Sequence, residues 1–341
     1  MDLAPPSRPL DVVALGNAIV DVLALVDDAA VERLGLPKGS MSLVDAAESE
    51  RVMAGVGPDA LQVAGGSAAN TLAGVASLGG TAAYVARVAD DTLGRFFAED
   101  LRATGVEFSP GELVPEPSTG RCLVLVTPDG ERVMRTYLGA STTLGPDHVD
   151  EALIARASVL YLEGYLWDVP AARDAVRRAI ALARRPSPGG PGTVVALSLS
   201  DPYCVERHRG DFVELVEQVD LLFGNEAEVT MLWGAATLDE AVAAARSSGV
   251  VGAFTRGAAG AVVAGATDTI AVPAWPVDPV VDTTGAGDLF AAGFLYGLTH
   301  GASLEGCARL GGLAAAEVIG HLGARPLVPL RELAEGSSLL V

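Results

Sequence analysis

The sequence predicts an α/β fold: a central, mostly parallel sheet flanked by helices, with a small β-sheet lid. Three observations carry this. From residue 150 to 272, apolar strand-like runs alternate with helical segments, the pattern of repeated right-handed crossovers. Half of the 341 residues are hydrophobic, only 5% are aromatic, and Gly numbers 40, which suits aliphatic strands, Ala-rich helices and tight turns. Finally, strand-like runs at 121–127 and 131–138 are joined by Pro128-Asp129-Gly130, a hairpin signal that sets a small separate sheet apart from the βαβ pattern. No internal repeat or second linker interrupts residues 1–341, so one domain is expected, its lid drawn from about 17–45 and 121–138.

In chain order, the Pro-rich residues 1–9 read as frayed, and Asp11 to Leu15 as a buried strand ending at Gly16-Asn17. The apolar run from Ala18 to Val26 is broken by Asp21, which either caps a bulge or faces a polar ligand. A helix is expected over Asp45 to Met53. Gly65-Gly66-Ser67-Ala68-Ala69-Asn70 then opens a helix from Leu72 to Leu78. Paired glycines let a ligand reach the backbone, and Asn70 offers a donor and an acceptor; a tight strand-to-helix turn is the structural alternative. Ala82 to Val88 reads as a strand, and Arg95 to Thr104 as a helix. Arg132 and Arg135 lie on the hairpin, as surface charge or as a cation near phosphate.

Beyond residue 150, helices are expected near 147–156 and over 170–184, 211–218 and 238–248, with a Pro/Gly loop at 186–192. Strands are expected over Val159 to Glu163, Val194 to Ser200, Asp220 to Gly224, Val250 to Thr255, 261–264 and 269–272. The loops at 65–70, 163–164, 224–228, 255–260 and 282–288 are expected at strand exits and converge on one edge of the sheet, where such sheets bind ligands. The last of these, Asp282-Thr283-Thr284-Gly285-Ala286-Gly287-Asp288, runs into the apolar, Ala-rich segment Leu289 to Phe294. Uncovered Gly and Ala N–H groups at a helix start suit phosphate oxygens. Asp288, on the first turn, could take a proton from a hydroxyl beside them; an ordinary N-terminal helix acid is the alternative.

Composition excludes several classes. A net charge of −20 leaves no basic stripe for nucleic acid. Lys38 is the single lysine, which rules out a P-loop and the protein-kinase lysine strand. Cys122, Cys204 and Cys307 are far apart and make no metal-ligand spacing with the histidines. With no leader-like N-terminus and no membrane-length apolar run, a soluble, cytoplasmic protein with no membrane partner is expected.

Taken together, the motifs resemble those of the ribokinase-like (PfkB) carbohydrate and nucleoside kinases. Gly65 to Asn70 and Asp282 to Asp288 are similar to that family's two signatures, Asn225-Glu226-Ala227-Glu228 to its Asn-x-x-Glu motif, and Thr255-Arg256-Gly257 with Gly260 to its nucleotide loop. The matches keep the family's order from about residue 11 to 326. The resemblance implies a ribokinase-like fold and transfer of the ATP γ-phosphoryl group to a CH₂OH group. It makes Asp288 the base, and Gly285, Ala286 and Gly287 the anion hole. It places Arg132 as the lid arginine near the transferred phosphate, and Asn17, Asp21, Gly65, Gly66, Asn70 and Glu163 at the acceptor. Asn225, Thr255, Gly257 and Gly260 would bind ATP, Asn225 and Glu228 would act on Mg²⁺ through water, and Asp282 with Thr284 would hold K⁺. Gly16-Asn17-Ala18-Ile19-Val20-Asp21 is more similar to the adenosine kinases of the family than to its ribokinases, which implies a nucleoside acceptor. Tyr137, Tyr165 and Trp167 are candidates to stack on a purine, with core packing as the alternative. A ribokinase- or fructokinase-like sugar kinase, and a non-catalytic nucleoside sensor, remain open, as do a monomer and a homodimer.

Overall fold

The computed structural model describes residues 3–56, 60–111, 113–129, 131–185 and 192–340. Met1, Asp2, Gly130 of the expected hairpin turn and 186–191 of the expected Pro/Gly loop lie outside the described residues. Strand β1 (Leu10–Leu15) is fully apolar after Asp11 and lies inside the large sheet. The chain leaves it through Gly16-Asn17 for a second, smaller sheet, supplying β2 (Ile19–Leu25), α1 (Asp28–Arg33), β3 (Met41–Leu43), α2 (Ala46–Ala54) and β4 (Leu61–Gly65). It returns through α3 (Ser67–Ser77), β5 (Ala82–Val85), α4 (Thr92–Ala103) and β6 (Glu107–Phe108), then revisits the small sheet as the hairpin β7 (Gly120–Val126) and β8 (Arg132–Tyr137).

The second half alternates regularly: α5 (Glu151–Ala155), β9 (Ala157–Glu163), α6 (Pro170–Ala183), β10 (Val194–Ser198), α7 (Pro202–Val216), β11 (Leu221–Asn225), α8 (Glu226–Trp233), α9 (Leu238–Ser247) and β12 (Val251–Thr255). The antiparallel β13 (Ala261–Ala264) and β14 (Thr269–Val272) close the sheet edge, and α10 (Ala286–Thr299), α11 (Leu304–Ile319) and α12 (Leu330–Gly336) complete the chain. The large sheet has the order β14-β13-β12-β11-β10-β9-β1-β5-β6, parallel from β12 to β6. The small sheet runs β3-β8-β7-β2-β4. Separate apolar layers cover the two faces of the large sheet, one built on α3, α10 and α11 and the other on α6, α7 and α9. Helix α10 is buried from Leu289 to Leu298 because it lies between α3 and α11, the position that demands apolar residues all round. No helix among the described residues is long and apolar enough to cross a membrane.

Several boundaries differ from the sequence reading. Helix α3 begins at Ser67 rather than Leu72, because Gly66 is its N-cap and the small residues Ala68 and Ala69 form a buried first turn. Helix α7 begins at Pro202 rather than 211, capped by Asp201, whose side chain accepts from Cys204 N; Asp followed by Pro is an N-cap and N1 pair. The segment near 147–156 divides into a 3₁₀ turn at Pro146–His148 and the short α5. Residues 282–288 do not leave a strand, since the chain is irregular from Pro273 to Thr283. The small sheet also takes in β4, beyond the two expected lid segments.

Candidate active site

Residues from β1, β9, β10, β11 and β12 exits, the α3 and α10 N-termini and the underside of the small sheet line one cleft of ≈ 700 Å³. Period-two alternation along β2 buries Val20, Val22 and Ala24 and turns Ile19, Asp21 and Leu23 to the other face, which is how Asp21 comes to line the cleft. Gly65, paired in β4 opposite Ile19, makes room for it: a Cβ there would lie 2.2 Å from Asp21 Oδ2. Gly65 therefore shapes the cleft without lining it. Gly66 does line it, at φ 91°, where a Cβ would meet Asn17 O at 2.3 Å.

The α3 turn that follows projects Ser67 and Asn70 from one helical face onto Asp288. Ser67 Oγ donates to Oδ1 at 2.6 Å, and Asn70 Nδ2 donates to Oδ2 at 3.0 Å. Withdrawal from water raises the Asp288 pKa above the ordinary carboxylate value, against the opposing pull of these two hydrogen bonds. Asn70, expected on a substrate hydroxyl, lines the cleft and also holds the carboxylate, and Ser67 is a partner the sequence reading missed. Asp21 is pushed up to about 7 by desolvation, the charge of Arg325 opposing and that of Asp288 adding.

Glu163 ends β9 almost fully buried. Its Oε1 accepts from Asn17 N at 3.2 Å and Asn17 Nδ2 at 2.9 Å, and its Oε2 from Ala68 N at 3.0 Å. It ties the exit of β1 to the start of α3, and burial lifts it to about 7. Asn17 lines the cleft with its Oδ1 buried and lacking a partner among the described residues. That orphan acceptor suits a ligand hydroxyl.

At the other end, Gly285 enters α10 at φ 80° without a side-chain cap. Ala286 N–H is spent on Thr283 O at 3.2 Å, so of the three amides expected to form an anion hole it is already engaged. The N–H groups of Gly285, Gly287 and Asp288 meet no protein acceptor among the described residues, as a helix start provides. A Cβ at Gly287 would touch nothing within 4 Å, and the residue lines the cleft.

Arg132, at the start of β8, pairs with Asp282 at 2.6 Å and hydrogen-bonds Thr284 Oγ1. The latch joins the small sheet to the glycine loop, on the two residues expected to hold K⁺. Burial pushes Asp282 up, but hydrogen bonds from Thr284, Gly323 N and Arg132 outweigh it and hold the carboxyl below its ordinary value. Arg135 lies elsewhere, buried with its guanidinium on Ser40.

Asn225 and Glu228 form a capping box on α8. Asn225 Oδ1 accepts from Glu228 N at 2.9 Å, while Glu228 accepts from Asn225 N at 3.0 Å and Nδ2 at 2.5 Å. Burial pushes Glu228 to about 7, and the Asp201 charge adds to this. No cluster of three or more Asp, Glu, His or Cys able to hold a metal exists among the described residues. A phosphate-bound Mg²⁺ asks for less, one or two carboxylates with water and phosphate oxygens, and Glu228 lining the cleft fits that role. Thr255 and Gly257 line the same end, but Gly260 does not. It serves the turn into β13: its carbonyl accepts from Arg256 N at 2.8 Å, and a Cβ would lie 2.0 Å from Val272 O.

Tyr165, Asp168, Ser198, Ser200, Asp201 and Arg207 also line the cleft, and of these only Tyr165 was singled out from sequence. Tyr165 donates to Asp201 at 2.8 Å, and Arg207 forms a two-point pair with Asp168 at 3.0 and 2.8 Å. Of the three candidate stacking rings only Tyr165 reaches the cleft; Trp167 packs on Phe212 in the core, and Tyr137 lies under Arg121.

Residues 40–331 match the pfkB family of carbohydrate kinases. The chain belongs to this family. It is a phosphotransferase acting on an alcohol group, and kinases of this family use ATP. A solved adenosine kinase of Sinorhizobium meliloti is 46% identical, with a TM-score of 0.88 over 97% of this chain and 100% of that one. A probable sugar kinase protein of Rhizobium etli is 42% identical, with a TM-score of 0.90 over 98% and 100%. The adenosine kinase of Saccharomyces cerevisiae is 29% identical over 91% of this chain and 95% of its own.

Proposed function

We propose that this PfkB kinase transfers the ATP γ-phosphoryl group to the 5′-hydroxyl of a nucleoside, with adenosine to AMP as its reaction. The observation that carries the reading is the two-sided acceptor end. Asn17, Asp21 and Asp288 make a polar floor, while Ile19, Met41, Leu43, Met134 and Leu138 give the small sheet an apolar underside. Ribose hydroxyls match the floor and a nucleobase matches the underside, which a free sugar would leave wet. The similarity to adenosine kinases of two organisms supports the same acceptor.

In this reading Asp288 takes the 5′-hydroxyl proton as that oxygen bonds to the γ-phosphorus; the bond to the β-phosphate oxygen breaks and ADP leaves. A carboxylate with a raised pKa suits a base working near neutrality. The free amides of Gly285 and Gly287 face the charge that develops on the phosphoryl oxygens. Asn225 and Glu228 would hold Mg²⁺ through water, and the ion would supply positive charge against the phosphates. Arg132 supplies the lid cation and, on Asp282 and Thr284, fills the K⁺ position, so turnover is expected without added K⁺.

A sugar kinase with the same mechanism is the second reading, favoured by the want of an aromatic ring on the lid's cleft face among the described residues. The test is ATP consumption with adenosine, other nucleosides, ribose and fructose, with Mg²⁺ and with or without K⁺. The highest kcat/KM is expected on adenosine. A preference for a free sugar overturns the acceptor assignment, and nucleoside binding with no turnover on any compound makes the chain a sensor.

A further inference from the structure

Asp21, Glu163 and Asp288 crowd the acceptor end of the cleft. The cation behind them is Arg325, from the segment between α11 and α12, its side chain 12% exposed. Its Nη1 donates to Asp100 of α4 at 2.5 Å, and its Nε donates to Asn70 Oδ1 at 3.4 Å. Its Nη2 is buried with no acceptor among the described residues. A guanidinium can only donate, so it takes the oxygen of the Asn70 amide, and the amide nitrogen is left facing Asp288. A turned amide would set oxygen against carboxylate and NH₂ against guanidinium, exchanging two attractions for two repulsions.

We propose that Arg325 is a positioning residue for the base of this kinase: it locks the Asn70 amide with its N–H toward Asp288. Arg325 does not itself line the cleft, so it acts through Asn70. Asp100, with a side chain 37% exposed, holds the guanidinium from the solvent side. The proposal rests on the reading of Asp288 as base; the geometry of the relay does not depend on which hydroxyl is phosphorylated.

The groups whose charges meet Asp288 are Asp21 from β2, Tyr84 from β5, Tyr161 and Glu163 from β9, and Tyr165 just beyond it. Burial pushes the three tyrosines upward, so they stay neutral in the working range. Of the three acids, Asp21 is the one held down by the Arg325 charge, whereas Asp288 is held down by the hydrogen bonds from Ser67 and Asn70. Removing the guanidinium frees the Asn70 amide to turn, which weakens a hydrogen bond to the ionised form of Asp288, and its pKa rises.

The decisive measurement is the Asp288 carboxyl titration by ¹³C NMR in full-length protein, assigned by its loss in Asp288→Asn, for wild type, Arg325→Met, Arg325→Lys and Asp100→Asn. Arg325→Met is expected to raise the Asp288 pKa by about one unit and to move the acid limb of the kcat profile with it. At pH 7 kcat should fall about tenfold, with the KM for ATP nearly unchanged. Arg325→Lys keeps a donor for Asn70 Oδ1 without the planar fork, so it should restore most of the pKa but not the full kcat. Asp100→Asn should move both in the same direction by less. An Asp288 pKa unmoved in Arg325→Met, or equal pKa rises in Arg325→Met and Arg325→Lys, overturns the proposal and leaves Arg325 as packing for its segment. The titration needs no substrate, so a failure of the kinase reading, seen as no turnover on any acceptor, is distinguishable from a failure of the relay.

Discussion

Helices α8 and α10 both start at the cleft, and each carries an acid at its third residue, Glu228 and Asp288. Both acids are raised above their ordinary pKa by desolvation. Glu228 spends its two oxygens on its own N-cap residue, three positions back. Asp288 spends its oxygens on α3, 221 and 218 residues away, and its helix has no side-chain cap. The first helix start is closed on itself. The second keeps its amides for a ligand and its acid aligned by a distant element. The two helix starts differ in the source of the hydrogen bonds to the acid, with residue type and helix position held nearly constant.

That contrast can be broken most directly by neutralising both acids. Asp288→Asn should lower kcat by about 10³-fold or more while calorimetry shows ATP binding retained. Glu228→Gln should lose less than about tenfold at saturating Mg²⁺ and about 1 kcal/mol of stability, as a weakened cap does. Equal losses of kcat would erase the distinction. Gly285→Ala comes next: a Cβ at φ 80° would sit 2.7 Å from Ala324 Cα, and destabilisation of at least about 1 kcal/mol is expected, with a higher KM for ATP. A melting temperature equal to wild type would show that α10 can be entered without glycine.

Two smaller effects sharpen the comparison. Ser67→Ala removes a hydrogen bond to the charged form of Asp288, so the acid limb of kcat should move upward while kcat at pH 8 falls by about tenfold at most. An unmoved limb would mean that Ser67 does not tune the base. Glu163 has a folded pKa of about 7 against an ordinary 4.5, so the folded state binds more protons across that window. Its contribution to stability is therefore lost as pH rises from about 4.5 to about 7. Denaturant midpoints at pH 5 and pH 8 should converge in Glu163→Gln relative to wild type; an unchanged gap would place that pH dependence in other groups.

The same distinction governs what could be read from sequence. Strands β9 to β12 were legible because both faces are buried and their residues run apolar without interruption. Strand β4 was not, since Leu61 and Gln62 are exposed and the run carries no pattern. The glycine pairs and Asp288 announced themselves by local chemistry. Asn225 and Glu228 did too, although the spacing that suggested a metal role is also that of a capping box. Asp201-Pro202 carried a start signal for α7 that was available and overlooked. Ser67 as a partner of Asp288, Arg325 as a partner of Asn70, and Arg132 on Asp282 had no local signature, because each contact exists only after distant segments have met.

The Ser67–Asp288 hydrogen bond also sets an order of events during synthesis. With 221 residues between its partners and elongation at about 5–20 residues per second, roughly 10–45 s separate emergence of the two residues from the ribosome. The Arg325–Asn70 contact spans 255 residues and comes later still. A nascent chain can therefore build the small sheet and most of the large one while its acceptor end still lacks its principal acid. The contacts of Asp288 and Arg325 with α3 can form only after both segments have been made, late in translation.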